Sequence, residues 1–300
     1  MIRKIYNVLA LLLITVATAV AQDATTSTSD IYSLTNKKGE KYLPTSDEWA
    51  LGVSASPFLG YLGNFLNFGG NDTPTFEYAS NPANNIAIFG KKMIDQNTAW
   101  RVRFNVGVNS AINKGVVVQD QLNANPAYPS FSEDWRRTNT TSVVIAPGYE
   151  KRRGSTRLQG IYGGELVVGY SASKTTYQYG NPITQDFQTP TSYPGFGGNL
   201  SGGGSVRQTE NKEGGNFLVG ARGFIGVEYF FAPKMSIGGE FGYMVAFQTQ
   251  GRGTVTTETW DSANGNVRET KTDVFNNGGL TNIGINLDNL SGSINLLFYF

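Results

Sequence analysis

The 300-residue chain contains no cysteine and no histidine, and each absence removes a class of chemistry. Without cysteine there is no disulfide framework, no thiol nucleophile and no lipid-acylated cysteine. Without histidine, Ser-His-Asp and Cys-His catalysis are excluded, as are zinc sites of the usual His and Cys types. Charge is also scarce: 16% of residues are charged and the net charge is +1, which gives no electrostatic footprint for nucleic acid. The glycine run from Gly197 to Gly204 lacks the following Lys and the strand-to-helix context of a phosphate loop, so it reads as a loop tip. Asp261, Asn264 and Asn266 miss the spacing of an EF-hand. The chain is therefore read as a non-enzyme with no cofactor and no metal site. A carboxylate-only hydrolase stays open, with no motif in its favour.

Long apolar runs are missing too. The longest, Val8 to Val20, follows Arg3 and Lys4 and ends in Ala19-Val20-Ala21. It falls short of the roughly 20 residues a membrane helix needs and has small residues placed for cleavage. Residues 1–21 are expected to be a secretory signal. Residues 22–47, polar and rich in Thr and Ser, read as a periplasmic lead that ends in Tyr42-Leu43-Pro44, placed to dock under whatever follows.

What the chain has instead is glycine and aromatics, with 37 Gly, 18 Phe and 15 Tyr. They fall in segments of period-two alternation, the signature of strands with unlike faces. Trp100, Val102, Phe104, Val106 and Val108 alternate with Arg101, Arg103, Asn105 and Gly107. An Arg facing lipid near the bilayer midplane costs about 2–4 kcal/mol, so the apolar set must face outward if this strand crosses a membrane. Seven further segments follow the pattern: 49–55, 86–93 (poorly), 141–149, 158–170, 217–231, 235–248 and the last, where Leu290 through Phe300 place apolar residues on one face. Short connections at 95–97, 151–156 and 232–234 alternate with long polar stretches at 63–85, 109–138, 172–214 and 248–282. An all-β, eight-stranded, antiparallel up-and-down transmembrane barrel with long extracellular loops has this rhythm, and an even strand count puts both termini in the periplasm.

These features resemble the small eight-stranded outer-membrane barrels of the OmpA transmembrane-domain and OmpX type, over about Glu48 to Phe300. The resemblance rests on the signal segment, the loop-turn rhythm and the terminal Phe300. It implies an address in the outer membrane of a Gram-negative bacterium. It also implies assembly by the barrel-assembly machinery, with Phe298 and Phe300 in the assembly signal. It carries no catalytic residue across.

An eight-stranded barrel has an interior that side chains just fill. Arg101, Arg103, Glu150, Glu165, Arg222, Glu228 and Glu240 have inward parity and mixed signs, which reads as a salt-bridged plug, with an ion pathway as the alternative. Glycines at inward positions such as Gly163 and Gly242 make room for them. Lys91 and Lys92 are consecutive, so one must face lipid and snorkel toward the headgroups. Lys151-Arg152-Arg153 reads as a solvated periplasmic turn, with an anionic-lipid patch as the competing reading. Around Asn264-Gly265 both arms alternate, a hairpin signal, and strands seven and eight are expected to continue beyond the membrane as a ribbon.

The loops hold many aromatics: Phe65, Phe68, Phe76 and Tyr78 in the first, Tyr128, Phe131 and Trp135 in the second, and Tyr179, Tyr193 and Phe196 in the third. Interleaved with Asn, Ser, Gly and Pro, they match the composition of recognition surfaces; the alternative is that they pack on one another over the barrel mouth. Two function classes follow. One is a non-catalytic surface binding or structural protein, or an accessory subunit of an outer-membrane assembly. The other is a narrow ion or small-solute channel. The partners expected are outer-membrane lipid, the assembly machinery, and an envelope protein or an extracellular ligand.

Overall fold

Each alternating segment needs a hydrogen-bonding neighbour on both edges, and in the computed structural model the eight ring-forming segments find two each. The structure describes residues 34–54, 87–122, 125–154, 156–196, 206–274 and 281–300. The expected signal segment, the first-loop aromatics and Gly197 to Gly204 lie outside the described residues. No helix occurs among the described residues. Eleven strands do: β1 (Trp49–Ser54), β2 (Ala87–Met93), β3 (Thr98–Val118), β4 (Phe131–Arg153), β5 (Leu158–Gln178), β6 (Val206–Lys212), β7 (Asn216–Ala232), β8 (Met235–Gln250), β9 (Gly253–Asp261), β10 (Asn266–Val274) and β11 (Thr281–Tyr299).

Eight of them close on themselves. Antiparallel pairing runs from β1 through β2, β3, β4, β5, β7, β8 and β11 and back to β1, where Leu51 stands opposite Phe298. The ring has no free edge at this level, so none of its strands is left as a template for another chain.

One end of the ring is joined by tight turns. The β7–β8 turn is Pro233-Lys234, with Lys234 at φ 60°, a left-handed conformation that a non-glycine residue adopts only where its surroundings hold it. At the other end the strands run on well past the ring. β3, β4 and β5 have 21, 23 and 21 residues, about twice what a membrane strand needs. Beyond β5, β6 pairs with β5 at Lys174, Thr175 and Thr176 and with β9, and β9 pairs with β10, so a side sheet grows out of the ring.

Several sequence expectations change here. The polar stretches at 109–138 and 248–282 are largely strand, and 172–214 holds strand at 172–178 and 206–212. Outside the arms of the Asn264-Gly265 hairpin, their two faces both meet polar surroundings or water, so the alternation that reveals a strand is weak. The hairpin at Asn264-Gly265 exists, but β9 does not prolong β8: the chain turns at Gly251 and β9 joins β6 instead.

Inside and outside are inverted relative to a soluble protein. Trp100 and Phe241 are exposed while neighbouring Arg101 and Glu240 are buried, and the same alternation holds around the ring in β5 and β7. Glycine makes the charged interior fit: a Cβ at Gly242 would lie 2.6 Å from Nε of Arg222.

Candidate functional site

The interior charge cluster lies at the tight-turn half of the ring. Its charged members come from six strands, β2, β3, β4, β5, β7 and β8, and strand register explains why they meet. In β2 and β3, Lys91 stands opposite Arg101; in β5 and β7, Glu165 stands opposite Arg222. Residues directly opposite in an antiparallel pair share a face, so each register pair places both charges inside. Glu150 and Arg152 are two apart in β4 and also share the inner face.

Arg101 is the hub. Its Nη1 lies 3.1 Å from Glu150 Oε2 and 3.0 Å from Glu240 Oε2, and its Nε lies 2.9 Å from Glu165 Oε1. The last contact is ionic without hydrogen-bond alignment, since neither atom has a hydrogen-bond partner. Arg222 Nη1 bridges Glu165 at 3.0 Å and Glu240 at 3.1 Å. Toward the turn end, Lys91 Nζ reaches Glu150 at 2.9 Å and Glu228 at 3.1 Å, and Arg152 reaches the same two carboxylates at 3.2 and 2.9 Å. Tyr299 and Ser236 donate to Glu228 Oε1 at 2.7 and 2.5 Å. Arg103 pairs with Glu165 at 3.1 Å at the more open end of the cluster.

Four cations, Lys91, Arg101, Arg152 and Arg222, thus interlock with four carboxylates, Glu150, Glu165, Glu228 and Glu240, all buried. Each carboxylate touches at least two cations, so no charge is isolated in a dry interior, where isolation would be costly. The seven inward charges named from sequence, Arg101, Arg103, Glu150, Glu165, Arg222, Glu228 and Glu240, are brought together. Lys91, Arg152 and Tyr299 were missed. Arg152 corrects the reading of 151–153 as a solvated turn: it is buried, with its guanidinium 5.2 Å from the Tyr299 ring. The signal for it was parity with Glu150; neighbouring Lys151 and Arg153 concealed it.

Below the cluster the ring is stopped by apolar packing. Leu43 of the lead is buried with Ala50, Met93, Ala99, Phe230, Leu297 and Tyr299, and Leu34 and Tyr42 pack against them. Pro44 is fully buried as well. The lead is fastened by Lys234, whose Nζ lies 2.6 Å from both Glu48 oxygens and donates to Leu43 O at 3.2 Å. The sequence expectation that Tyr42-Leu43-Pro44 docks underneath corresponds to this packing.

The named loop aromatics divide. Phe196 is buried beneath the Arg136 guanidinium at 5.0 Å. Tyr179 donates to Phe196 O and Gln208 O at 2.8 and 2.6 Å, while Arg207 lies 4.2 Å over its ring. Burial, opposed by Arg207, pushes the Tyr179 phenol well above its ordinary pKa, as expected of a hydroxyl used in packing. Tyr193 packs on Phe196 at 4.9 Å, and its amide donates to Asp134 Oδ2 at 2.7 Å. Asp134 and Asn181, both fully buried, pin this loop to β3 and β4. Tyr128 and Phe131 are exposed at the tip of the β3–β4 hairpin, and Trp135 carries Lys114 at 4.1 Å. Of the six, Tyr179, Tyr193 and Phe196 build the head, and Tyr128, Phe131 and Trp135 face outward.

No group of three or more acidic residues positioned to hold a metal ion occurs among the described residues. No family model and no curated protein matches the chain. Among solved structures it is similar to a major outer membrane protein from Thermus thermophilus, at 9% identity and a TM-score of 0.29, covering 84% of this chain and 98% of that one. A superposition that shallow leaves the geometry of this chain to decide its function.

Proposed function

We propose that the chain is an eight-stranded up-and-down β-barrel of a Gram-negative outer membrane, non-catalytic, with a sealed interior and a folded head that acts outside as a binding or structural surface. The observation that carries the reading is the inverted burial: eight interlocked ionised groups inside and a continuous apolar face outside. In water that arrangement would expose the apolar face and bury the charges, the reverse of what stabilises a soluble fold. In lipid it is the expected one.

The same arrangement argues against a channel. An ion crossing the ring would have to pass the Arg101–Glu240 and Lys91–Glu150 pairs and then the Leu43, Met93 and Phe230 packing. On this reading the tight turns and the docked lead face the periplasm, and the side sheet, the exposed Tyr128 and Phe131 and the half-buried Trp135 face outward to meet an envelope protein or an extracellular ligand.

The test uses purified protein that shows heat-modifiable migration on gels, the mark of a folded barrel, inserted in a planar bilayer. A silent bilayer is expected. Steady conductance altered by substituting Arg101 or Glu240 would make the chain a channel, and solubility without detergent would overturn the barrel reading.

A further inference from the structure

The net charge of +1 conceals a strong asymmetry at the tight-turn end of the ring. The lead forms a small hairpin there, closed by a bridge between Thr35 and Lys41. Asn36 Oδ1 accepts from the amides of Lys38 and Glu40 at 2.9 Å each, and Gly39 takes φ 82° to complete the turn. The local bonding holds Lys37, Lys38 and Lys41 exposed, and no ion pair to any of them occurs among the described residues. Tyr42 ties the hairpin to the ring wall: Arg157 lies 4.2 Å over its ring and 5.3 Å from that of Tyr229. Lys92, on the outer face, lies 5.4 Å over Trp49.

The carboxylates of this rim are largely engaged within the chain. Glu48 takes Lys234 at 2.6 Å, Glu40 accepts from Asn36 Nδ2 at 2.6 Å, and Asp95 accepts from the amide of Asn97 at 2.7 Å and from the Thr98 hydroxyl. Glu40 and Asp95 stay charged and Asp47 is exposed too, but with Glu48 paired to Lys234 these three are set against Lys37, Lys38, Lys41, Lys92 and Arg157, so outward-facing charge at this end is positive on balance. On the wall Lys92 stands opposite Trp49 and Trp100 in register, beside exposed aromatics of the kind that mark an interface between hydrocarbon and water, and the hairpin is tied to the same end by the Lys234 amide donating to Tyr42 O.

We propose that this rim binds the phosphate groups of anionic phospholipids in the adjacent leaflet, through Lys37, Lys38 and Lys41 on the hairpin and Lys92 on the wall. The inference rests on the barrel reading, which sets the rim at headgroup depth. Lipid fits better than an acidic protein or polymer because Lys92 and Arg157 sit on the aromatic rings of Trp49 and Tyr229, on the face that meets acyl chains. A globular partner cannot reach that face, whereas lipid phosphates stand over it. Basic residues at such a surface each contribute about 1 kcal/mol of attraction to anionic lipid, or about fivefold in affinity.

The experiment is native mass spectrometry of the full chain released from mixed micelles holding equal amounts of phosphatidylglycerol and phosphatidylethanolamine with the same acyl chains. Bound lipid should be enriched about tenfold in phosphatidylglycerol. The enrichment should weaken with added salt and fall to near parity in K37S/K38S/K41S/K92S. If that variant folds poorly, K37S/K38S, confined to an exposed turn, should still lower the enrichment several-fold. Parity in the unaltered chain, or enrichment unchanged by these substitutions, would overturn the proposal. So would loss of the lipid preference to competing soluble polyglutamate, which would assign the rim to an acidic polymer. Heat-modifiable migration, scored on the same samples, separates these outcomes from failure of the barrel reading: a chain that never folds in micelles sinks the barrel, whereas a folded chain without lipid preference sinks only the rim.

Discussion

The hydroxyl of Tyr299 donates to Oε1 of Glu228 at 2.7 Å, joining the last strand to β7 across the interior of the ring. Tyr299 faces inward between Phe298 and Phe300, which face out. One residue thus serves the apolar packing around Leu43 with its ring and the charge cluster with its hydroxyl. Tyr299→Phe keeps the packing and removes the donor. A hydrogen bond to a charged group contributes about 1.5–3 kcal/mol, so the unfolding free energy from urea titration of the heat-modifiable form should fall by an amount in that range, with a lower midpoint. An unchanged midpoint would mean that Ser236, Lys91 and Arg152 satisfy Glu228 without it.

Removing one partner from the cluster should be far more damaging than removing a matched pair. Glu228→Gln leaves Arg152 and Lys91 to share Glu150, and breaking a buried pair in this way costs about 3–5 kcal/mol. R152M/E228Q removes one charge of each sign and should be less destabilised than the sum of its single variants. Simple additivity in a double-mutant cycle would contradict the interlocked arrangement.

Docking of the lead should depend on pH. Burial alone would raise the Glu48 pKa, but hydrogen bonds from Lys234 and Thr45 outweigh it and hold the carboxyl below its ordinary value of 4.5. A carboxyl with a folded pKa below its unfolded one contributes stability that is present above the unfolded value and lost as pH falls through the folded value. Trp49 emission should therefore shift on acidification below about pH 4.5, and Glu48→Gln should flatten that response. An identical titration in both proteins would place the lead's attachment elsewhere.

Phe300 pairs its backbone with Trp49 in both directions, at 2.9 and 3.0 Å, and so seals the seam between the two ends of the ring. Deleting it removes both bonds and an exposed aromatic at the rim. The amount of heat-modifiable protein in the membrane fraction should fall. Full recovery of folded protein would show that β1 and β11 close without the terminal residue.

Much of the ring was legible in the sequence because a membrane strand has two unlike faces. Trp100 to Val108 reveal which face meets lipid, and so the inward parity of Arg101 and Arg103, without any neighbour. Lys91 and Arg152 were hidden for the opposite reason, since each stands beside another cation, Lys92 or Lys151 and Arg153, and a run of charge imitates a solvated turn. Glu150 holds the answer by parity alone. β6 and the outer reaches of β3, β4 and β5 left no alternation to read. Tyr179 and Phe196 belong to a loop whose packing depends on Asp134 and Arg207, residues distant in the chain.

The central claim is that the apolar outer face of the ring meets lipid. Trp49 and Trp100 lie on that face, whereas Trp135 and Trp260 lie on strand segments beyond it, at the opposite end of the ring. Single-tryptophan variants reconstituted in vesicles containing lipids brominated along the acyl chain test the claim directly. Strong quenching of Trp49 and Trp100 with little quenching of Trp135 and Trp260 is predicted. Equal quenching at all four positions, or none at Trp49 and Trp100, would contradict it.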